Sequence, residues 1–257
     1  MVESSEQKKS RPPKWLFALG PDDLPAEVTV DGITYRFVDL FKHDFFAATG
    51  LYQRTDTGQR AVLKLQRTYR LFILPMKWLG RIVANHEIDI YQRLQGVRGI
   101  PGFWGRVGPT GFLHEFIPGQ DLHAGLPLTP EFFEDLKRLL EDLHARHIAY
   151  VDTNKRENIL YGEDGKPWLI DFQISFQAPR GDHSWFIRRW WLGRFQRADW
   201  YHYYKHKSRL LPAACSPADL KRAEQRGPLH NLHRLIANPY RALRRRYLRR
   251  FDLSKTR

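Results

Sequence analysis

A single cysteine, Cys215, occurs in the 257 residues, which excludes any intrachain disulfide and any Cys-based metal centre. Long apolar runs are missing as well: the best candidate, Leu71 to Ala84, is interrupted by Pro75, Lys77 and Arg81 and is too short to span a bilayer. The N-terminus, MVESSEQKKSRPPKW, has no apolar stretch of the secretory kind, so a cytoplasmic protein is expected. Acidic residues are scarce in the last third of the chain. From Arg180 to Arg257 there are 20 Lys or Arg against 5 Asp or Glu, whereas the first 179 residues carry 22 against 23. A near-neutral body with a cationic tail points to an anionic partner, either a membrane surface or nucleic acid. At 42% hydrophobic content the body is large enough to bury a core as one domain, with room for two lobes.

Residues 1–14 read as a disordered polar arm. The pattern VTVDGITYRFVDL, Val28 to Leu40, then has two β-rich runs joined at Asp31-Gly32, a hairpin signal. A second hairpin follows, from Gly50–Arg54 through Asp56-Thr57-Gly58 to Arg60–Leu65. A helix comes next, its apolar positions Ile82, Val83, Ile88, Tyr91 and Leu94 forming one expected buried stripe that also carries Glu87. Two short strands, Ile100–Val107 and Gly111–Ile117, flank a Gly-Pro-Thr-Gly turn, and Pro118–Leu122 reads as a hinge. Thr129 caps a further helix with Pro130 at its first position and a stripe of Phe132, Phe133, Leu136, Leu139, Leu140 and Leu143. The histidine pairs 144/147 and 202/206 have helical spacing, but with no third ligand pattern they read as surface or packing residues rather than zinc ligands.

That second helix delivers the chain into residues 143–176, LHARHIAYVDTNKRENILYGEDGKPWLIDFQISF. Here a polar loop, a strand, a Gly-bearing turn and a second strand place Asp152 and Asp171 on loops flanking one hairpin, with Asn158 between them. Two carboxylates and an amide so arranged can serve as a base and a metal-binding pair. By itself the stretch also reads as a polar loop beside a hairpin with a buried Asp cap.

In order, Lys64 in Ala61-Val62-Leu63-Lys64, Glu87, the segment Glu115–Ile117, Asp152, Asn158 and Asp171 in Asp171-Phe172-Gln173 resemble the protein-kinase-like superfamily. The resemblance spans about residues 35–176. Its look is that of the bacterial lipopolysaccharide kinases, the Kdo and core-heptose group, which share a compact RIO-like build. It implies an α+β, two-lobed fold: a small lobe over 15–117 with an antiparallel sheet and one helix, and a mainly helical large lobe over 118–257. It also implies ATP, Mg²⁺ and phosphoryl transfer to a hydroxyl. Lys64 would reach the phosphates and pair with Glu87, and the backbone of Glu115, Phe116 and Ile117 would bind adenine. Asp152 would receive the hydroxyl proton, and Asn158 and Asp171 would hold Mg²⁺.

Several departures shape the expectation. The lid segment Lys42–Gly50 has one glycine where kinases have three, so amides of Ala and Thr would have to face the phosphates. Asn158 lies six residues after Asp152 instead of five, which requires a bulge or else hands the metal to Asn154. Tyr150 and Val151 replace His and Arg, removing the cation that receives a phosphorylated activation loop. Gln173 replaces a glycine and should stiffen its turn, and no Ala-Pro-Glu follows, which disfavours a peptide-docking platform. The expected acceptor is therefore a hydroxyl of a glycolipid or sugar, with a Ser/Thr protein kinase and a pseudokinase or membrane-associated binding module as alternatives. Asp199 has the spacing of an aspartate that braces a kinase catalytic loop. The tail interleaves Trp185, Trp190, Trp191, Trp200 and Tyr201 with Arg and Lys, a composition suited to an anionic membrane, to single-stranded nucleic acid or to a packed aromatic core. Arg241 to Arg250 is harder to place in a core and reads as an anion-facing segment.

Overall fold

A computed structural model describes residues 13–71, 73–178 and 185–225. An antiparallel sheet of six strands, in the order β1-β2-β3-β4-β6-β5, forms the first part. β1 (Glu27–Val30) and β2 (Ile33–His43) turn at Asp31-Gly32, where φ is 49° and 76°. That doubly left-handed pair is what an Asp-Gly hairpin accommodates at low cost. β3 (Ala47–Arg54) and β4 (Arg60–Gln66) make the second hairpin. Alternating side chains of these strands bury Val28, Val30, Tyr35, Tyr52, Ala61 and Leu63 on one face.

Helix α1 (Lys77–Arg93) crosses the sheet with Gly80, Ala84, Glu87, Ile88 and Tyr91 turned inward. Ile82 was expected on this buried stripe but is 55% exposed, and Val83 is only half-buried. The inward face is set by the spacing 80-84-87-88-91, which puts Ile82 on the opposite side. Gly80 decides how close the helix comes: a Cβ there would fall against the Arg67 carbonyl oxygen, far inside van der Waals contact. Gly80→Ala is therefore expected to cost about 3 kcal/mol by overpacking. A shift in the midpoint of thermal unfolding checks this cost.

The sheet closes with β5 (Phe103–Val107) and β6 (Gly111–Glu115). The chain then leaves through Phe116–Pro118 into β7 (Gly119–Asp121), which pairs with β9 (Ile159–Gly162). Residues 119–121, read above as hinge, are thus a strand of a second sheet, ordered β10-β9-β7, in which β10 is Pro167–Leu169. Helix α2 (Pro130–Ala145) begins as expected: Thr129 Oγ1 accepts from the Phe132 amide at 3.4 Å and Pro130 takes the first turn. All six residues of its stripe are buried and join the larger core with Leu122, Ile148, Tyr150, Leu169 and Phe172.

Two short strands, β8 (Ile148–Ala149) and β11 (Phe176–Gln177), pair antiparallel and receive helix α3 (Trp185–Leu210), followed by α4 (Pro217–Glu224). The aromatic tail segment divides along α3. Its second half is core, with Asp199, His202, Tyr203, Tyr204, His206 and Lys207 buried, whereas Phe186, Ile187 and Trp190 of its first half are exposed. Arg241–Arg250 and the N-terminal residues 1–12 lie outside the described residues. Among the described residues no helix is long and apolar enough to cross a membrane.

Candidate active site

Lys64 emerges from β4 between two carboxylates that are far apart in the chain. Its Nζ donates to Glu87 Oε1 at 2.7 Å and to Asp171 Oδ1 at 2.8 Å. The other oxygen of Glu87 accepts from Gln66 Nε2 at 2.8 Å, and Oε1 also accepts from the Phe172 amide at 3.2 Å. Burial pushes Lys64 toward neutrality, but the Asp171 and Glu87 carboxylates reverse this and keep the ammonium charged. Burial likewise pushes Asp171 up, and Lys64 outweighs it, holding the carboxyl at about 2. Glu87 is pushed up by burial, with Lys64 pulling the other way.

Asp171 sits at φ 61°, in the left-handed region. The left-handed residue of this turn is Asp171 and not Gln173, so the turn does not require a glycine at position 173. Phe172 is fully buried, with its ring 5.0 Å from Tyr91 on α1 and 5.3 Å from Tyr150. The Tyr150 hydroxyl in turn donates to the Ile170 and Asn158 carbonyl oxygens. The aromatic trio thus locks the Asp171 turn to α1 on one side and to the Asp152 loop on the other.

Two short 3₁₀ turns, Asp152–Asn154 and Arg156–Asn158, make up that loop. They take up the extra residue: Asn158 is buried and its Nδ2 donates to Asp152 Oδ2 at 2.8 Å, while Asn154 faces solvent. Lys155 Nζ reaches the same Asp152 oxygen at 2.5 Å. Asp152 Oδ1 has no partner among the described residues. Burial raises the Asp152 carboxyl, with Lys155 opposing, so a proton is more readily taken up there than on a free aspartate.

Asp199 on α3 holds the loop from below. Its two oxygens accept from the Tyr150 amide (2.8 Å), the Val151 amide (2.8 Å), Thr153 Oγ1 (2.6 Å) and His144 Nε2 (3.1 Å). Val151 is held at φ 68°, a costly conformation for a β-branched residue, beside these bonds. His206 adds a further tie, donating Nε2–H to the Thr153 carbonyl at 2.8 Å. Burial lowers the His206 pKa to about 4. A depressed folded value means that the unfolded chain protonates first, so the contribution is intact above about pH 6.5 and is lost as pH falls toward about 4. His206→Gln should flatten the loss of stability between those values by up to about 3 kcal/mol, read from denaturant midpoints across pH.

At the lobe connection, the Glu115 amide donates to the Gly102 carbonyl at 2.8 Å and the Glu115 carbonyl accepts from His114 Nδ1 at 2.8 Å. The buried backbone of Ile117 has no hydrogen-bond partner among the described residues, so its amide and carbonyl are available to a ligand such as adenine. Phe116 lies between them, its ring 6.1 Å from Phe41 of β2. The lid differs from expectation. Lys42–His43 end β2, Asp44–Phe46 turn, and Ala47–Gly50 belong to β3. Asp44 Oδ1 accepts from the Phe46 and Ala47 amides at 2.8 and 3.0 Å, so a carboxylate occupies amides that a glycine lid would leave open.

The oxygens of Asp171 and Asn158 are hard donors of the kind Mg²⁺ takes, and Asp171 stays anionic with Oδ2 free of any partner among the described residues. The donor set therefore fits the metal. Gln66 and Lys155 were not singled out in the sequence, Tyr150 was named there only as the residue standing in place of His, and His206 only as half of a helically spaced pair.

No family model matches the chain. The serine/threonine-protein kinase WAG1 of Arabidopsis thaliana is 35% identical over 92 residues, which is 31% of this chain and 19% of that protein. Among solved structures, the Rio2 kinase–ADP/Mg²⁺–phosphoaspartate complex from Chaetomium thermophilum superposes with a TM-score of 0.50 at 15% identity, covering 75% of this chain and 59% of that one. A second structure of the same Rio2 kinase matches with a TM-score of 0.50 at 14% identity, over 75% and 61% of the two chains. The chain thus spans about a fifth of the WAG1 kinase and about three fifths of the Rio2 chains. With an antiparallel sheet and its helix α1 in one lobe and a helical second lobe, the chain has the two-lobed α+β protein-kinase-like fold.

Proposed function

We propose that the protein transfers the γ-phosphoryl group of MgATP to a hydroxyl. The observation that carries this is the Lys64 ammonium held between Glu87 and Asp171, residues 23 and 107 positions away in the chain. An ammonium fixed in this way is a ready cation for phosphate oxygens. Asp171 and Asn158 are the residues that would hold Mg²⁺, which when bound neutralises charge on the phosphates. The acceptor oxygen forms its bond to the γ-phosphorus as the bond to the ADP oxygen breaks, and Asp152 Oδ1 receives the hydroxyl proton. Lys155 and Asn158 keep Asp152 Oδ2 engaged, which turns Oδ1 toward the acceptor. Within Glu115–Ile117, the backbone amide and carbonyl of Ile117 receive the adenine, those of Glu115 being engaged by Gly102 and His114.

For the acceptor we favour a sugar hydroxyl, as in a lipopolysaccharide core or another envelope glycolipid, met at the cytoplasmic face of a membrane. Only 13 residues separate Asp171 from the start of α3, a short span for the segment that docks peptides in protein kinases. The cationic tail and the exposed aromatics Phe186, Trp190 and Trp191 favour an anionic surface, with single-stranded nucleic acid the rival partner. A second reading, a compact Ser/Thr protein kinase, is favoured by the 92-residue match to WAG1. Incubation with radiolabelled MgATP and a cell-envelope extract, followed by separation into lipid, glycan and protein fractions, distinguishes them. Label in lipid or glycan supports the first reading and label in protein the second. Label no greater than that of an Asp171→Asn control in any fraction would sink the enzyme reading in favour of a pseudokinase or binding module.

A further inference from the structure

From Thr57 to His86 the chain contains no acidic residue and six Lys or Arg. Lys64 and Arg67 of these are buried, and Arg67 spends its charge on the carbonyls of Trp15, Phe17, Phe45 and Arg70. Arg70, Lys77 and Arg81 are exposed and have no carboxylate partner among the described residues. Beside them stand the most exposed large apolar side chains among the described residues of this lobe. Leu71 and Leu74 exchange backbone hydrogen bonds at 2.9 Å, forming a tight turn that thrusts out Ile73, 90% exposed, while Leu74 is 61% exposed. On the outer face of α1, Trp78 and Ile82 (59% and 55% exposed) lie one turn apart, and Lys77 and Arg81 form the adjoining row.

We propose that this turn and the first two turns of α1 form a membrane-docking surface for an anionic lipid bilayer. The surface is the tip of a turn and the outside of a helix, a convex shape that enters a headgroup layer. Its apolar residues include a tryptophan and are flanked by cations with no acid among them, which matches the charge of anionic headgroups. The buried face of the same helix is fully occupied by Gly80, Ala84, Glu87 and Ile88, so the outer face is not displaced core. This anchor is separate from the cationic tail and lies on the helix that presents Glu87 to Lys64. Docking would therefore hold the phosphate-binding lobe against the surface bearing the acceptor. That consequence rests on the proposed transfer reaction, whereas the docking itself does not.

The full chain carrying Ile73→Cys and Cys215→Ser, labelled with an environment-sensitive dye, tests the contact directly. Added to phosphatidylcholine vesicles containing phosphatidylglycerol, the dye should shift to the blue and gain intensity, with little response to phosphatidylcholine alone. In flotation with the same vesicles, the unlabelled Ile73→Ser/Trp78→Ser/Ile82→Ser variant should bind at least about tenfold more weakly, and Lys77→Gln/Arg81→Gln about tenfold or more at low salt. The substitutions at 73, 77, 78, 81 and 82 are at exposed positions and Cys215 is half-buried, and an unchanged melting temperature verifies the fold. An unshifted dye, equal response to neutral vesicles, or full binding by the triple variant would each overturn the proposal, as would these residues mediating capture of a protein in place of vesicles. No ATP is present, so a negative result leaves the transfer reading standing, and a failed transfer assay leaves this one standing.

Discussion

An Asp171→Asn variant is expected to keep its fold and to lose roughly a thousandfold or more of its phosphate transfer rate. Asparagine is the informative replacement because Asp171 lies at φ 61°, a backbone region that Asn tolerates and Ala does not. The substitution removes the negative charge that Lys64 and a divalent cation would share, while Lys64 keeps its bond to Glu87 at 2.7 Å. Because Lys64 keeps Glu87 as its partner and the 31% exposed Asp171 position leaves the new amide access to solvent, the melting temperature should move by only a few degrees. The rate loss should appear in kcat as well as kcat/KM, because the interaction strengthens as charge develops in transfer. A folded variant with the parent rate would remove Asp171 from the metal-binding role and with it the proposed chemistry.

The second large effect falls on a residue that touches neither nucleotide nor acceptor. Asp199 is fully buried, and each of its two oxygens accepts two hydrogen bonds. In Asp199→Asn an NH₂ group must face two of the four donors, leaving them unsatisfied in the core. The expected loss is about 3 kcal/mol or more of stability, measured from the shift in denaturant midpoint. Tyr150 and Val151 bond different oxygens of Asp199, so whichever oxygen becomes the NH₂ one of these two loop amides is released, and Val151 would then relax from φ 68°. Relaxation moves Asp152, the next residue, so transfer should fall by about a hundredfold or more even at temperatures where the variant is folded. A variant that is less stable but transfers at the parent rate would show that Asp199 supports the helix and not the loop.

These two residues differ in how visible they were beforehand. Asp171 was legible because its neighbours announce it: an apolar strand, then Ile-Asp-Phe, in the right order after Lys64 and Asp152. Asp199 offered spacing alone, since a lone aspartate among tryptophans and tyrosines does not reveal that four donors converge on it. The same limit explains Ile82. The helical periodicity of the apolar residues assigned it to the buried stripe of α1, but the stripe actually used is centred on Gly80, Ala84 and Glu87. Two faces of that helix carry apolar residues, and which one turned inward depended on Gly80 fitting against the Arg67 carbonyl, a contact between separate elements. The lid is a comparable case. Its shortage of glycine was plain, but the capture of the Phe46 and Ala47 amides by Asp44 depends on how the turn closes.

By itself the sequence determined the hairpins at Asp31-Gly32 and Asp56–Gly58, the Thr129-capped helix with its six-residue stripe, and the order of charged groups from Lys64 to Asp171. Each is written in local terms: turn residues with a left-handed preference, a cap, and a periodicity of two or 3.6. Only the tertiary structure decided that Lys64 sits between Glu87 and Asp171, that two 3₁₀ turns carry Asn158 rather than Asn154 to Asp152, and that α3 is core at one end and surface at the other. Those outcomes depend on groups brought together from distant parts of the chain, where burial and charge pairing are properties of the assembled pair and belong to neither residue alone.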